Sequence, residues 1–314
     1  MKIVLLENLG VSPEKVDAEK AKLKAMGHDL EVFEKNTDLE TLKKETENAE
    51  VLMLANMPLP AEVIEADPNL RYIDVAFTGV DHIPMALVKE RGIGLSNGSG
   101  YANDAVAELV IAMTIDRLRY IEELETRAKN AQTKAGLRGH LLKGKTVGII
   151  GCGAIGKQTA RLFKAFGCKV LGYNRSNVTD PAIDEQTDLE TLLKNSDVVS
   201  LHVPLTDQTR HLLDRRHLEM MKPSAILINT ARGPVVDEDA LADLLEQGKL
   251  AGAGIDVYDK EPPLDPTLPI LNAPKVTVTP HIGFDSVESM EKRFEIVFDN
   301  LYAWLEGKEL NRIV

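Results

Sequence analysis

Gly151, Gly153 and Gly156 form a G-x-G-x-x-G turn near the middle of a 314-residue chain. Val147, Ile149 and Ile150 precede it as a short apolar run that suits a buried parallel strand, and residues 154–166 have the spacing of a helix. Each glycine has its own task. Gly151 permits the tight turn, Gly153 lets the backbone approach a pyrophosphate, and Gly156 allows close helix–strand packing. The helix that begins at Ala154 and Ile155 presents N–H groups and partial positive charge to the phosphates. Strand, turn and helix together predict dinucleotide binding. The central position of the turn also requires the residues before it to build something else.

Such a length suggests two domains, each able to bury a core. A net charge of −12 argues against a nucleic-acid partner held by phosphate attraction, although a local arginine can still hold a small anion. No apolar run reaches membrane-spanning length, and the first residues turn acidic too soon for a signal peptide, so a cytoplasmic protein without membrane contact is expected. Cys152 and Cys168 are the two cysteines; they offer neither a disulfide framework nor a metal cluster, and no metal is expected. Cys152 reads as a small residue that fits a crowded turn.

Before the turn, residues 3–6, 30–33, 51–54, 72–76 and 93–95 read as strands, and 13–26, 39–47, 61–65 and 84–90 as helices. This alternation predicts a parallel sheet covered on both faces. One long helix is expected over 103–131, and a loop over 136–144. Beyond the turn, 169–173, 197–201, 225–228, 252–257 and 276–279 read as further strands. The amphipathic stretch 287–305 reads as a final helix that packs back on the first domain.

Three strand ends carry candidate chemistry. Arg232 follows the strand 225–228, Glu261 follows 252–257, and His281 follows 276–279. In an open α/β sheet, residues just beyond the carboxyl ends of strands face the ligand crevice. Arginine can grip a carboxylate with two parallel hydrogen bonds. Histidine is the side chain best suited to exchange a proton near neutral pH. A carboxylate beside it keeps it charged. Each residue alone has an ordinary structural explanation, but the set is what reduction of a 2-keto acid requires.

Several stretches resemble the D-isomer-specific 2-hydroxyacid dehydrogenases over essentially the whole chain. They are 78–81, 100–101 with 105–108, the glycine turn, 202–206, 229–233, 251–262 and 279–283. The resemblance implies a Rossmann-type doubly wound parallel sheet inserted in a discontinuous flavodoxin-like substrate domain. The substrate domain would comprise 1–100 and 284–314, and the dinucleotide-binding domain 101–283. It implies that His281 protonates the substrate carbonyl, that Glu261 accepts a hydrogen bond from the other ring nitrogen, and that Arg232 binds the substrate carboxylate. The amides of Gly79 and Val80, beside Thr78, would hold the same carboxylate, with Phe77 and Tyr101 shaping the side-chain pocket. Asp256 would meet the nicotinamide carboxamide, and His202, Pro204, Thr206, Thr230 and Ala231 would line the cofactor. The family also dimerises through the nucleotide domain, so a homodimer built on about 103–142 is expected.

One stretch departs from the pattern. Members that use NAD commonly end the second strand of the nucleotide domain in an aspartate, which accepts from the ribose hydroxyls. Here Asn174, Arg175 and Ser176 stand instead. Asn174 does not repel a 2′-phosphate, while Arg175 and Ser176 can bind one, which favours NADP(H) over NAD(H). Two other activities share the scaffold. Formate oxidation is disfavoured because those relatives carry glutamine where this chain has Glu261. A dinucleotide-sensing, corepressor-like binding protein is the alternative to an enzyme.

Overall fold

The computed structural model describes residues 1–260 and 263–314. The chain divides into two compact units, Met1–Ala102 with Asp285–Val314, and Asn103–Phe284.

The first unit holds five parallel strands, β1 (Lys2–Leu5), β2 (Asp29–Val32), β3 (Val51–Leu54), β4 (Tyr72–Val75) and β5 (Gly94–Asn97). Their order is β2-β1-β3-β4-β5, the flavodoxin-like doubly wound arrangement. β3 and β4 are buried along their whole length; β3 is accordingly apolar without alternation, while β4 carries one buried acid, Asp74. Helix Val287–Leu305 supplies Phe294, Val297, Phe298 and Leu301 to the core formed by Ile3, Leu5, Val51 and Met53. Near its end Trp304 stacks on Tyr72, with ring centroids 4.8 Å apart.

Beneath this helix lies a buried polar chain. Asn300 donates to Asp74 Oδ1 at 3.1 Å and to the Asn97 carbonyl at 3.1 Å, and Asn97 donates to the Thr78 carbonyl at 2.7 Å. Burial pushes the Asp74 carboxyl well above the usual carboxylate range, against the opposing hydrogen bond from Asn300. An acid whose folded-state value is raised loses stability as pH climbs from its unfolded value toward the folded one. Asp74→Asn keeps the acceptor and removes the ionisation. Its Tm should therefore match wild type near about pH 4 and exceed it by several degrees near about pH 8. Thermal unfolding at the two pH values checks this, and equal Tm differences at both would contradict it.

The second unit holds seven parallel strands, β6 (Thr146–Ile150), β7 (Lys169–Tyr173), β8 (Glu185–Gln186), β9 (Val198–Leu201), β10 (Ile226–Asn229), β11 (Gly252–Ile255) and β12 (Val276–Val278). The order is β12-β11-β10-β9-β6-β7-β8. From β6 the chain winds outward through β7 to β8, then returns to place β9 on the other side of β6. That reversal is a topological switch point, where open α/β sheets bind ligands. The strand expectations hold to within a residue or two, but β8 is two exposed residues with no apolar signal.

The single helix expected over 103–131 is two helices, Asn103–Arg119 and Ile121–Lys129. Tyr120 breaks it with left-handed backbone, φ 56°. The cause is Arg117, whose side chain is 2 % exposed and lies 3.1 Å from Asp116, 3.1 Å from Glu122 and 3.3 Å from Glu123. Residues five and six apart do not share a face of a straight helix. The bend brings both glutamates back onto the buried guanidinium. No helix among the described residues is long and apolar enough to cross a membrane.

Candidate active site

The glycine turn closes as its spacing requires. Gly151 has φ +95°, and a Cβ there would lie 2.6 Å from the His202 carbonyl oxygen. A Cβ on Gly156 would lie 2.0 Å from the Gly151 oxygen, so the helix Ala154–Ala165 sits hard against the turn. At Gly153 the position is reversed, since nothing lies within 4 Å of an added Cβ. Gly153 is also the N-cap of that helix, with no side chain capping it. The first N–H groups, at Ala154 and Ile155, therefore face an open approach. Cys152 is buried in the turn, and its thiol is pushed up to about 11, chiefly by burial. It is no thiolate at neutral pH.

At the end of β7, Asn174 uses both ends of its amide. Oδ1 accepts from the Cys152 N–H at 3.2 Å, and Nδ2 donates to Ser176 Oγ at 2.9 Å. Nδ2 also donates to the Ser176 carbonyl at 3.2 Å, a bond an aspartate could not make. Gln186 braces the same loop by donating to the carbonyls of Asn174 and Ser176, at 3.3 and 2.9 Å. Arg175 is exposed and reaches Gln208 Oε1 at 3.2 Å.

Beyond β9, His202 Nε2 lies 2.9 Å from Ser200 Oγ, and burial pushes the imidazole down to about 3. Burial there disfavours the charged imidazole. The Thr209 hydroxyl ties that loop together, donating to the Pro204 carbonyl at 2.6 Å and accepting from the Thr206 N–H at 2.8 Å. Beyond β10, the Thr230 hydroxyl is buried and has no hydrogen-bond partner among the described residues. An uncapped helix start, open space over Gly153 and an orphaned hydroxyl fit a dinucleotide laid across the carboxyl ends of these strands.

The catalytic candidates follow on β10 and β12. Asn229 is buried and forms the turn that presents Arg232. Its Oδ1 accepts from the Ala231 N–H at 3.1 Å, and its Nδ2 donates to the Arg232 carbonyl at 3.0 Å. Next to Arg232, Gly233 has no room for a side chain: a Cβ would lie 1.9 Å from the Tyr258 carbonyl carbon. His281 has left-handed backbone, φ 59°, its N–H donates to the Thr279 carbonyl at 3.1 Å, and its ring meets Phe284 edge-on at 5.6 Å. A histidine in this conformation is uncommon and has to be held by its surroundings.

Asp256 does much of the holding. It is 1 % exposed, and its carboxylate accepts from Thr279 Oγ1, from the Ile282 N–H at 2.8 Å and from the Gly283 N–H at 2.8 Å. Burial raises this carboxyl, while the three donors and the nearby His281 oppose the shift. From the sequence Asp256 is expected on the nicotinamide carboxamide. In the structure, three donors of the His281 turn bond to its carboxylate. Glu261 lies outside the described residues. Glu238, an acid that no sequence pattern singled out, is pushed up to about 7, first by burial and then by Asp259.

In the first unit, Thr78, Gly79 and Val80 follow β4. Among the described residues no acceptor is paired with the Gly79 or Val80 N–H. Phe77 and Tyr101 are buried neighbours, with ring centroids 6.3 Å apart, and the Arg293 guanidinium lies 5.8 Å from the Tyr101 ring centre.

Residues 111–283 match the family model for the NAD-binding domain of D-isomer-specific 2-hydroxyacid dehydrogenases. A glyoxylate reductase of Thermofilum pendens is 39% identical over 279 residues, covering 86% of this chain and 82% of that protein. A hydroxypyruvate reductase of Thermotoga maritima is 36% identical over 280 residues, covering 88% and 92%. Among solved structures, an acyclic imino acid reductase in complex with NADPH and D-Arg superposes with a TM-score of 0.92 at 31% identity over all of both chains. With its two doubly wound sheets and its glycine turn at the switch point, the chain belongs to the D-isomer-specific 2-hydroxyacid dehydrogenases, oxidoreductases that act on a CH–OH group with a nicotinamide dinucleotide as acceptor.

Proposed function

We propose that this protein reduces a small 2-keto acid, such as glyoxylate or hydroxypyruvate, to the D-2-hydroxy acid with NADPH. The observation that carries this reading is the held, left-handed His281 at the end of β12, in the same row of strand ends as Arg232 on β10. The nicotinamide cofactor, when bound, supplies the hydride. His281 donates the proton to the carbonyl oxygen, and Arg232 binds the carboxylate and polarises the neighbouring keto group. Glu261, by the family resemblance, accepts from the other ring nitrogen of His281 and keeps it a donor. The same resemblance gives the Gly79 and Val80 amides a share in carboxylate binding. Relatives at 39% and 36% identity are named for glyoxylate and hydroxypyruvate, which supports a small substrate.

Support for NADPH comes from the end of β7. Asn174 carries no charge, its amide is engaged with Cys152 and Ser176, and the exposed Arg175 guanidinium stands beside it. A solved structure of similar fold binds NADPH. Arg175→Ala should lower kcat/KM for NADPH about tenfold or more and leave NADH nearly unchanged. A wild-type preference for NADH would contradict the assignment. We further propose a homodimer through the second unit's arm, where Ile121 and Leu141 are exposed at 50% and 73%.

The decisive measurement is turnover of glyoxylate, hydroxypyruvate, pyruvate and larger 2-keto acids at neutral pH with each cofactor. Reduction of at least one to the D-product is expected. Tight cofactor binding without turnover of any would favour a dinucleotide-sensing binding protein instead.

A further inference from the structure

Three loops leave the neighbouring strands β10, β11 and β12, and one residue, through its backbone or its side chain, bears on all three. Tyr258 follows β11 and is 1 % exposed. Its backbone forms the floor under Gly233, whose added Cβ would meet the Tyr258 carbonyl carbon at 1.9 Å, its oxygen at 2.1 Å and the Asp259 nitrogen at 2.5 Å. Arg232 is the residue just before that contact. In the other direction the Tyr258 hydroxyl donates to the Thr279 carbonyl at 2.9 Å, with the Ile255 carbonyl further off at 3.4 Å.

The Thr279 carbonyl has a second donor, the His281 N–H at 3.1 Å. That bond closes the short turn through Pro280 in which His281 takes φ 59°. The turn is thus pinned from two sides. Asp256 holds the Thr279 hydroxyl and the N–H groups of Ile282 and Gly283, and Tyr258 holds the Thr279 carbonyl. Both anchors leave the end of β11, and one of them also bears on the Arg232 loop.

We infer that Tyr258 is a positioning residue for the reaction, coupling the Arg232 loop to the His281 turn through its backbone on one side and its hydroxyl on the other. This rests on the reading that His281 and Arg232 act on the substrate. Tyr258 is too buried to touch the substrate itself. A ring locked by packing, with its hydroxyl on a catalytic turn, gives the orientation that proton transfer demands. The Asp256 bonds alone leave the Thr279 carbonyl end of the turn to a single hydrogen bond.

Tyr258→Phe removes one oxygen and keeps the ring. Steady-state reduction of the best 2-keto acid with NADPH should show kcat down about tenfold. The KM for NADPH should be unchanged, and the midpoint of the kcat–pH profile should move, because the His281 turn is less constrained. Thermal unfolding and NADPH titration by fluorescence establish that the variant is folded and loaded. A kcat and pH midpoint equal to wild type, whatever the change in Tm, would show that the hydroxyl only ties β11 to β12 and would overturn the inference. His281→Ala measured in parallel separates the two levels. If it retains turnover, the catalytic reading fails and this inference with it. If it loses turnover while Tyr258→Phe does not, this inference alone fails.

Discussion

His281→Ala is expected to lower kcat for keto-acid reduction by a factor on the order of 10² to 10⁴, the range typical of a lost general acid. Cofactor binding should survive, because the glycine turn follows β6 and its neighbouring loop follows β7, four and five strands along the sheet from β12. His281→Gly sharpens the test. At φ 59° a side chain is strained, and glycine occupies this region freely, so the glycine variant should be at least as stable as the alanine variant. Both should be equally inactive. Single-turnover kinetics with saturating NADPH would measure the loss directly, and a kcat within a few-fold of wild type would remove His281 from the proton-transfer role.

Gly233→Ala should be nearly as damaging, for a steric reason. The new methyl would lie 1.9 Å from the Tyr258 carbonyl carbon and 2.1 Å from its oxygen, both backbone atoms that have no rotamer to change. One loop must move. Overpacking of this kind costs about 1–3 kcal/mol or more. A displacement of about 1 Å at a substrate-positioning residue can cost about 10²-fold in rate. Because Arg232 is adjacent, kcat/KM for the keto acid should fall by about that factor, together with a drop in Tm. A variant with wild-type Tm and wild-type kcat/KM would contradict the close approach of the two loops.

Much of the fold was legible because its signals are local. The apolar runs of β1, β3, β6 and β10 and the amphipathic helix Val287–Leu305 are set by residues a few positions apart. The failures are those in which burial of a charge or pairing through backbone alone decides the structure. The helix break at Tyr120 depends on Arg117 being buried and on the carboxylates of Glu122 and Glu123, which need the bend to reach it. The two exposed residues of β8 pair with β7 through backbone alone and carry no apolar pattern. Likewise the raised Glu238 carboxyl depends on burial and on Asp259, twenty-one positions further along the chain.

The sequence by itself determined where a dinucleotide could bind and which residue types stand at the strand ends. Glycine spacing and strand–turn–helix order are local constraints on backbone geometry, and an arginine and a histidine just past two strands follow from hydrophobic periodicity. Only the tertiary structure decided what holds those residues in place. Asp256 reaches Thr279, Ile282 and Gly283 across separations of 23 to 27 residues, and Tyr258 reaches Thr279 across 21. Gly233 owes its lack of room to backbone 25 positions away, at Tyr258. Such contacts arise only when parallel strands lie side by side in register. No pattern along a single strand records which neighbour it will have.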